Sequence, residues 1–407
     1  MANTYITPDI IAKGMLAVIH NACPLLMHID KQYDDSFGEG AVVNGNMPGP
    51  SIRIRYPVRS TVSYGAALDI QDTAETTKTL TQSTRLQISR TFTTQDLTLT
   101  VRDFKNRYIM PDGKRLASEV EKQIANLFVN TYNSVGTPGV APADDQPYLQ
   151  ANAKLNNYSI DLDDRIVCLT PEAQTATVHG LSDLFNNQLT VGKQYAKGLM
   201  GANTLGADFY LDQNLAFFTT GTRGMTDSTV VGNQSGATLT VSSNDSTTGY
   251  VYKQGDVFTV DGLYSCNYET KTTTNNLAQF VVTADTTATG TVAVLPISPS
   301  IITSGATQTT YSASGNQAPS GAVCRFTGAA STTYPQNLLV QKQWATLASA
   351  PLYMPDGVDW KAREEVDGIS IRVVRSYVIN SDTLPTRIDL LMGVTNLYEF
   401  AGCRIWG

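Results

Sequence analysis

The sequence predicts an α+β protein interrupted by an all-β insertion. Two observations lead there. Helical and strand patterns mix irregularly up to about residue 224 and again from residue 335, without the regular alternation of a parallel α/β fold. Between residues 225 and 334 the helix signals stop: Ser and Thr make up close to a third of that stretch, and only nine of its residues are Asp, Glu, Lys or Arg.

Size and composition agree with this reading. A chain of 407 residues exceeds the size at which one hydrophobic core keeps growing, so two or three cores are expected, one of them an insertion. Charged residues are 16% of the chain, against about a quarter in ordinary globular proteins, which predicts a neutral polar surface. The net charge of −7 argues against a sequence-reading nucleic-acid binder but leaves room for a locally basic face. Cys23, Cys168, Cys266, Cys324 and Cys403 are scattered, odd in number and never in C-x-x-C spacing; they read as the reduced thiols of a cytosolic product. The most apolar early run, MLAVIHNACPLLMHI, is broken by His20, Asn21, Pro24 and His28, so neither export nor a membrane span is expected.

Along the chain, Thr7 and Pro8 open a short amphipathic helix over residues 7–19, with Ile11, Met15, Val18 and Ile19 on one face. Residues 51–60 alternate Ile52, Ile54 and Tyr56 against Arg53 and Arg55; residues 84–92 alternate Leu86, Ile88 and Arg90 against Arg85, Gln87 and Ser89. These are expected to be two half-buried strands that pair. The stretch between them has little apolar pattern, and so long a loop in a compact domain is uncommon unless it is functional or rests on a partner. Residues 110–136 place Leu116, Val120, Ile124, Leu127 and Phe128 on one stripe of a long helix ended by Gly136. RIVCLT reads as a buried strand, a helix starts at Pro171, and ADFYLDQNLAFF is a strand with a polar break. In the insertion, ATLTVSS, DVFTVDG, LAQFVVTA and GTVAVLPI recur at strand length between turns, which predicts a small barrel or sandwich. After residue 335, NLLVQKQWATLASAPL has a helical pattern, followed by strands in GISIRVVRSYVIN and in the last twenty residues or so.

No motif carries chemistry. His20, His28 and His179 are isolated, with no metal-ligand spacing and no nucleophile nearby. GLMGANTLG lacks the Lys-Ser/Thr ending of a phosphate loop and reads as a turn. Asp34/Asp35, Asp144/Asp145 and Asp163/Asp164 lack calcium-loop spacing and read as solvated turns. No catalytic, metal or cofactor residue is therefore expected. Arg53, Arg55, Arg85 and Arg90 remain: on a strand face they either meet solvent, or meet the carboxylates of another subunit or nucleic acid.

The order of parts, with TTQDLTLTVRDFKNRYIMPDGKRLASEVEKQI, LTPEAQ, GADFYLDQNL, YKQGDVFTVDGLYSCNYETKTTTNNLAQFVVTA and YPQNLLVQKQWATLASAPL, resembles the major capsid (coat) proteins of tailed bacteriophages. These have the Hong Kong 97 fold, and the resemblance is specifically to the phage P-22 type, which carries an inserted β-barrel. The resemblance assigns residues 1–40 to an N-terminal arm, 41–108 to an extended loop and 109–136 to a spine helix. It assigns 137–224 and 335–407 to the peripheral and axial domains, and 225–334 to the inserted barrel. Gly113, close after Pro111, departs from the pattern and suggests a spine helix that is kinked or starts late. The implied function is a non-enzymatic virion shell of hexamers and pentamers, assembled in the bacterial cytoplasm. Its implied partners are further copies of itself, a scaffolding protein, a portal protein and packaged double-stranded DNA bound without sequence specificity, with room for a decoration protein. Candidate inter-subunit contacts are Arg53, Arg55, Arg85, Arg90, Glu269 and Lys271, the last two in the expected loop 269–276. A β-rich phage tail or receptor-binding component is the alternative, suggested by the Ser/Thr/Gly-rich strands.

Overall fold

The computed structural model describes residues 12–16, 23–31, 49–66, 68, 70, 71, 75–93, 110–180, 205–223, 227–243, 249–315, 317–358, 360–366 and 368–407. Residues 12–16 are helical, and the labelled helices are α1 (Pro24–His28), α2 (Met110–Ala125), α3 (Gln146–Asn157) and α4 (Pro171–Gly180). The strands begin with β1 (Ser51–Arg55), β2 (Thr77–Thr81), β3 (Thr84–Thr93), β4 (Ser134–Val135), β5 (Arg165–Leu169), β6 (Asp208–Leu211), β7 (Phe217–Thr219), β8 (Ser228–Val230), β9 (Gly236–Ser243), β10 (Val251–Tyr252) and β11 (Val257–Cys266). They continue with β12 (Thr273–Val282), β13 (Thr286–Thr287), β14 (Val292–Ile301), β15 (Thr310–Ser312), β16 (Val323–Phe326), β17 (Thr333–Gln341), β18 (Ala345–Ser349), β19 (Trp360–Val366), β20 (Ile369–Arg375), β21 (Thr383–Asn396) and β22 (Gly402–Trp406). The chain divides into two compact units.

The first unit joins Met1–Arg55, Thr77–Ile124 and Ala345–Leu397. Its sheet is organised by β21, which pairs with β3 on one side and with β20 and then β19 on the other, while β18 pairs with its C-terminal end. Side chains alternate across this sheet, so the apolar residues fall into cross-strand rows: Leu86, Leu390 and Ile371, then Ile88, Ile388, Val373 and Ala362. The other face is mainly polar, with Leu391 and Val374 set among its charged residues. On α2 the residues Leu116, Val120 and Ile124 are buried, as their spacing predicts. Buried Glu121 of the same helix accepts the Leu25 N–H at 2.8 Å and the Leu26 N–H at 3.4 Å. These are the first free donors of α1, because Pro24 has no N–H, so the carboxylate caps that helix where its dipole favours an anion.

Three expectations fail here. The strands at 51–60 and 84–92 do not pair with each other: β1 pairs with β2, and β3 pairs with β21. β2, with the sequence TKTLT, buries only Leu80, which is why its stretch looked like loop. The long helix is also shorter than expected: it ends at Ala125, gives a 3-10 turn at Asn126–Asn130, and the chain becomes strand at Ser134. Asn, Thr, Val and aromatic residues have modest helix propensity, and Ser134 gains strand partners in β22 and in the side chain of Gln279. Gly113 neither delays nor ends the helix, which already starts at Met110. Of the predicted helix at 7–19, residues 12–16 are helical and the rest lie outside the described residues.

The second unit joins Tyr56–Thr76, Ala125–Trp344 and Tyr398–Gly407. One of its sheets runs β4-β22-β17-β5-β6, with β7 paired to the start of β17. The helical pattern expected at 337–352 is strand instead: β17, a 3-10 turn at Lys342–Trp344, then β18. Leu338, Leu339 and Val340 are all buried, because a central strand covered on both faces has a continuous apolar run that periodicity cannot distinguish from a helix. Tyr148, Ala151 and Leu155 of α3 and Ala173 of α4 pack against Val167, Leu339, Cys403 and Ile405 of this sheet.

The insertion is a closed barrel. Strand order β12-β14-β9-β8-β16-β11 returns to β12 through the β11–β12 pairing, so a six-membered ring leaves no open edge, and β15 extends from β11. Leu239, Val241, Phe258, Val260, Phe280, Val282 and Leu295 fill its interior, at the alternating positions that the sequence marked. All five cysteines are buried, and none forms a disulfide. Among the described residues no helix is long and apolar enough to cross a membrane.

Candidate functional site

Residues 56–76 leave β1, return into β2 and belong to the second unit. The stem of this arm is closed by its own bonds: the Tyr56 N–H donates to the Thr76 carbonyl at 3.0 Å, and the Gln71 amide both accepts from the Thr61 N–H at 2.8 Å and donates to the Thr61 carbonyl at 2.5 Å. Beyond the stem, several large apolar side chains are exposed: Val62 is 82% exposed, Tyr64 97%, Leu68 86% and Ile70 83%. Single exposed apolar residues are ordinary, but several on one short arm mark a contact surface.

The base of the arm is latched by aromatic residues. Tyr56 packs on Tyr398 with ring centres 5.3 Å apart, and the Arg59 guanidinium lies 4.5 Å from the centre of the Tyr268 ring and 5.7 Å from that of Phe400. Tyr268 comes from the β11–β12 turn of the barrel and shares a 2.7 Å hydrogen bond with the hydroxyl of Tyr132. Burial pushes the Tyr268 hydroxyl up to about 12, so the cluster stays neutral beneath the Arg59 cation.

Where the chain enters and leaves the barrel, buried Arg223 bridges both connections. It donates to Asp256 at 2.7 Å and to the carbonyls of Thr327 at 2.7 Å and Gly328 at 2.6 Å. Asp256 also accepts from the N–H groups of Gly221 and Lys253. Arg404 of β22 donates to the Gly255 carbonyl at 2.6 Å, with its guanidinium over Phe128, Phe218 and Trp406. Burial lowers Arg404 to about 9, with Asp256 pulling the other way. Both strands of the connection and the neighbouring sheet are therefore tied to one buried charge pair.

The six sequence-predicted residues do not come together. Arg53 and Arg55 lie exposed on β1, opposite Thr79 and Thr77 of β2. Arg90 faces the other way from Arg85 on β3, and it grips buried Asp112 of α2 with two bonds of 2.5 Å. Arg85 lies 3.3 Å from buried Asp389. Glu269 and Lys271 sit in a tight turn, not a long loop, because β12 already begins at Thr273. Asn267 organises that turn: its side-chain oxygen accepts from the N–H groups of Glu269 and Thr270, and its amide donates to the Asn157 carbonyl. The Lys271 ammonium donates to the Tyr268 carbonyl at 2.6 Å, and burial with the nearby Arg59 lowers its pKa. The latch and the Arg223–Asp256 pair were missed, since each rests on contacts between residues far apart in the chain. The signal in the sequence was the unusual length of the stretch that holds Val62, Tyr64, Leu68 and Ile70.

A family model described as P22 coat protein, gene protein 5, matches residues 46–407. The chain belongs to the P22 coat protein family. Solved structures similar to this coat protein include one of Mycobacterium phage Che8, 12% identical, covering 94% of this chain and 90% of that one with a TM-score of 0.48. A second is the capsid of cyanophage P-SCSP1u, 12% identical, covering 88% and 84% with a TM-score of 0.45. A third is the mature capsid of bacteriophage PhiM1, 8% identical, covering 88% and 82% with a TM-score of 0.43. No curated protein matches this coat protein in sequence. Family membership makes it a phage capsid protein with a structural role and displaces the tail or receptor-binding reading.

Proposed function

We propose that many copies of this coat protein assemble as hexamers and pentamers into a closed icosahedral shell around double-stranded DNA. Assembly partners are a scaffolding protein and a portal protein, and the bacterial cytoplasm is the place of assembly. The observation that carries the reading, beside the family, is the arm: a stem held by its own hydrogen bonds displays Val62, Tyr64, Leu68 and Ile70 to water. Such a surface has a use in an assembly, where a neighbouring copy covers it. Repeated contacts of modest strength then hold a closed lattice by multivalency.

Negative-stain electron microscopy of the concentrated full chain tests this. Closed shells or curved sheets are the expected result. Small particles only, both for the chain alone and with a scaffolding protein co-expressed, would remove the shell reading.

A further inference from the structure

The polar face of the first unit's sheet carries an unusual charge for so acidic a chain. Lys361 and Arg363 of β19, Arg372 of β20, Arg387 of β21 and Arg85 of β3 share that face. The carboxylates among them are Glu365 and Asp389, which leaves a positive excess on a chain whose net charge is −7. Asp389 is fully buried and already holds Arg372 at 2.5 Å, Arg387 at 2.6 Å and Arg85 at 3.3 Å. Arg363 and Arg372 stand directly opposite each other, a repulsive pairing on a sheet. Asp389 balances Arg372, which also donates to the Tyr353 carbonyl at 2.5 Å, whereas Arg363 donates to the Leu352 carbonyl at 3.4 Å and Lys361 to the Pro355 carbonyl at 2.8 Å. Carbonyls orient these last two cations without cancelling their charge.

The complementary feature lies in the second unit. Between α3 and β5 the residues Asp161, Leu162, Asp163 and Asp164 are all exposed, Leu162 at 71%. Arg165 shapes the turn by donating to the carbonyls of Asp161 at 2.9 Å and Ile160 at 2.7 Å. Among the described residues no ion pair involves the carboxylates of Asp163 or Asp164.

We propose that the acidic turn 161–164 of one copy docks on the basic sheet face of a second copy. The proposal rests on the shell reading above and names one of its contacts. Charge complementarity selects the pairing, and an apolar match supports it: half-buried Leu391 and Val374, the cross-strand neighbours of Arg85 and Arg387, offer Leu162 a place between the cations. A phosphate backbone brings charge alone and has no use for those apolar neighbours. The contact joins two different patches, so it is heterologous, the type that closes into rings of subunits.

The test is an exchange of charge in the full chain. The variant K361E/R363E reverses the face without touching the residues that hold Asp389, and D161K/D163K reverses the turn while sparing Asp164, whose φ is +55°. Each variant, checked to have the parent's thermal midpoint, is expected to associate at least about tenfold more weakly in sedimentation and to give few particles. The chain carrying all four substitutions is expected to recover. If K361E/R363E does not fold, the neutral pair K361Q/R363Q shows the same loss to a smaller degree. Failure of the four-fold exchange to recover, or parent-like association of either reversed pair, overturns the proposal. Particles that form normally but lose nucleic acid would mean that the face binds DNA, and overturn it as well. A parent chain that never assembles would instead strike the shell reading, and this contact with it.

Discussion

Lys154 shows how one residue can report on the packing of the second unit. It lies on α3 and donates to the side-chain oxygen of Gln279 in the barrel strand β12, which also accepts the Ser134 N–H at 2.8 Å. Burial lowers its pKa to about 8, with Cys403 pulling the other way. In the unfolded chain a lysine titrates near 10.4. Between about pH 8 and 10.4 the unfolded chain therefore holds a proton that the folded chain has released, and stability rises with pH by linkage. The parent should gain thermal midpoint relative to Lys154→Met as pH rises from about 8 to 10. Parallel curves for the two proteins would show that Lys154 titrates as an ordinary surface lysine. Arg223 and Asp256 of the same unit follow the same logic, each buried charge being met by the other.

At the scale of elements, the close approach of β2 to β21 depends on a glycine. A Cβ added at Gly393 would lie 2.4 Å from the Thr81 carbonyl oxygen and 2.9 Å from its carbon, so backbone would have to move. Gly393→Ala should destabilise the first unit by about 1–3 kcal/mol, the usual cost of overpacking. Denaturant titration would measure it, and an unchanged midpoint would mean that β2 gives way without cost. No sequence rule pointed to Gly393, because its neighbour lies more than three hundred residues away in the chain. What could be read was local: the alternation of β3, the stripe of α2 and the barrel strands, each set by which face is buried. What was misread had ambiguous local signals. β17 is apolar on both faces and resembled a helix, and β2 has one buried side chain and resembled a loop. The arm was recognised as an anomaly of length, yet its latch through Arg59, Tyr268 and Phe400 joins three distant segments that only the fold brings together.

For the whole molecule, stability and assembly should separate, because they rest on different residues. The cores of the two units and the barrel are buried within the single chain, whereas Tyr64 and Ile70 contribute nothing to them while they stand in water. Replacing both by serine should therefore leave the unfolding midpoint of the isolated chain within the roughly ±0.5 kcal/mol typical of surface changes. In a shell, burying such side chains against a neighbour is worth about 1.5–3 kcal/mol each, and the loss recurs at every copy. The double variant Y64S/I70S should thus be folded and monomeric under conditions in which the parent forms particles, as judged by sedimentation and microscopy. Particles in parent-like yield would mean that the arm stays in solvent after assembly. A chain that unfolds more easily would mean that the arm stabilises its own subunit, and the latch at its base would then be the place to look for the cause.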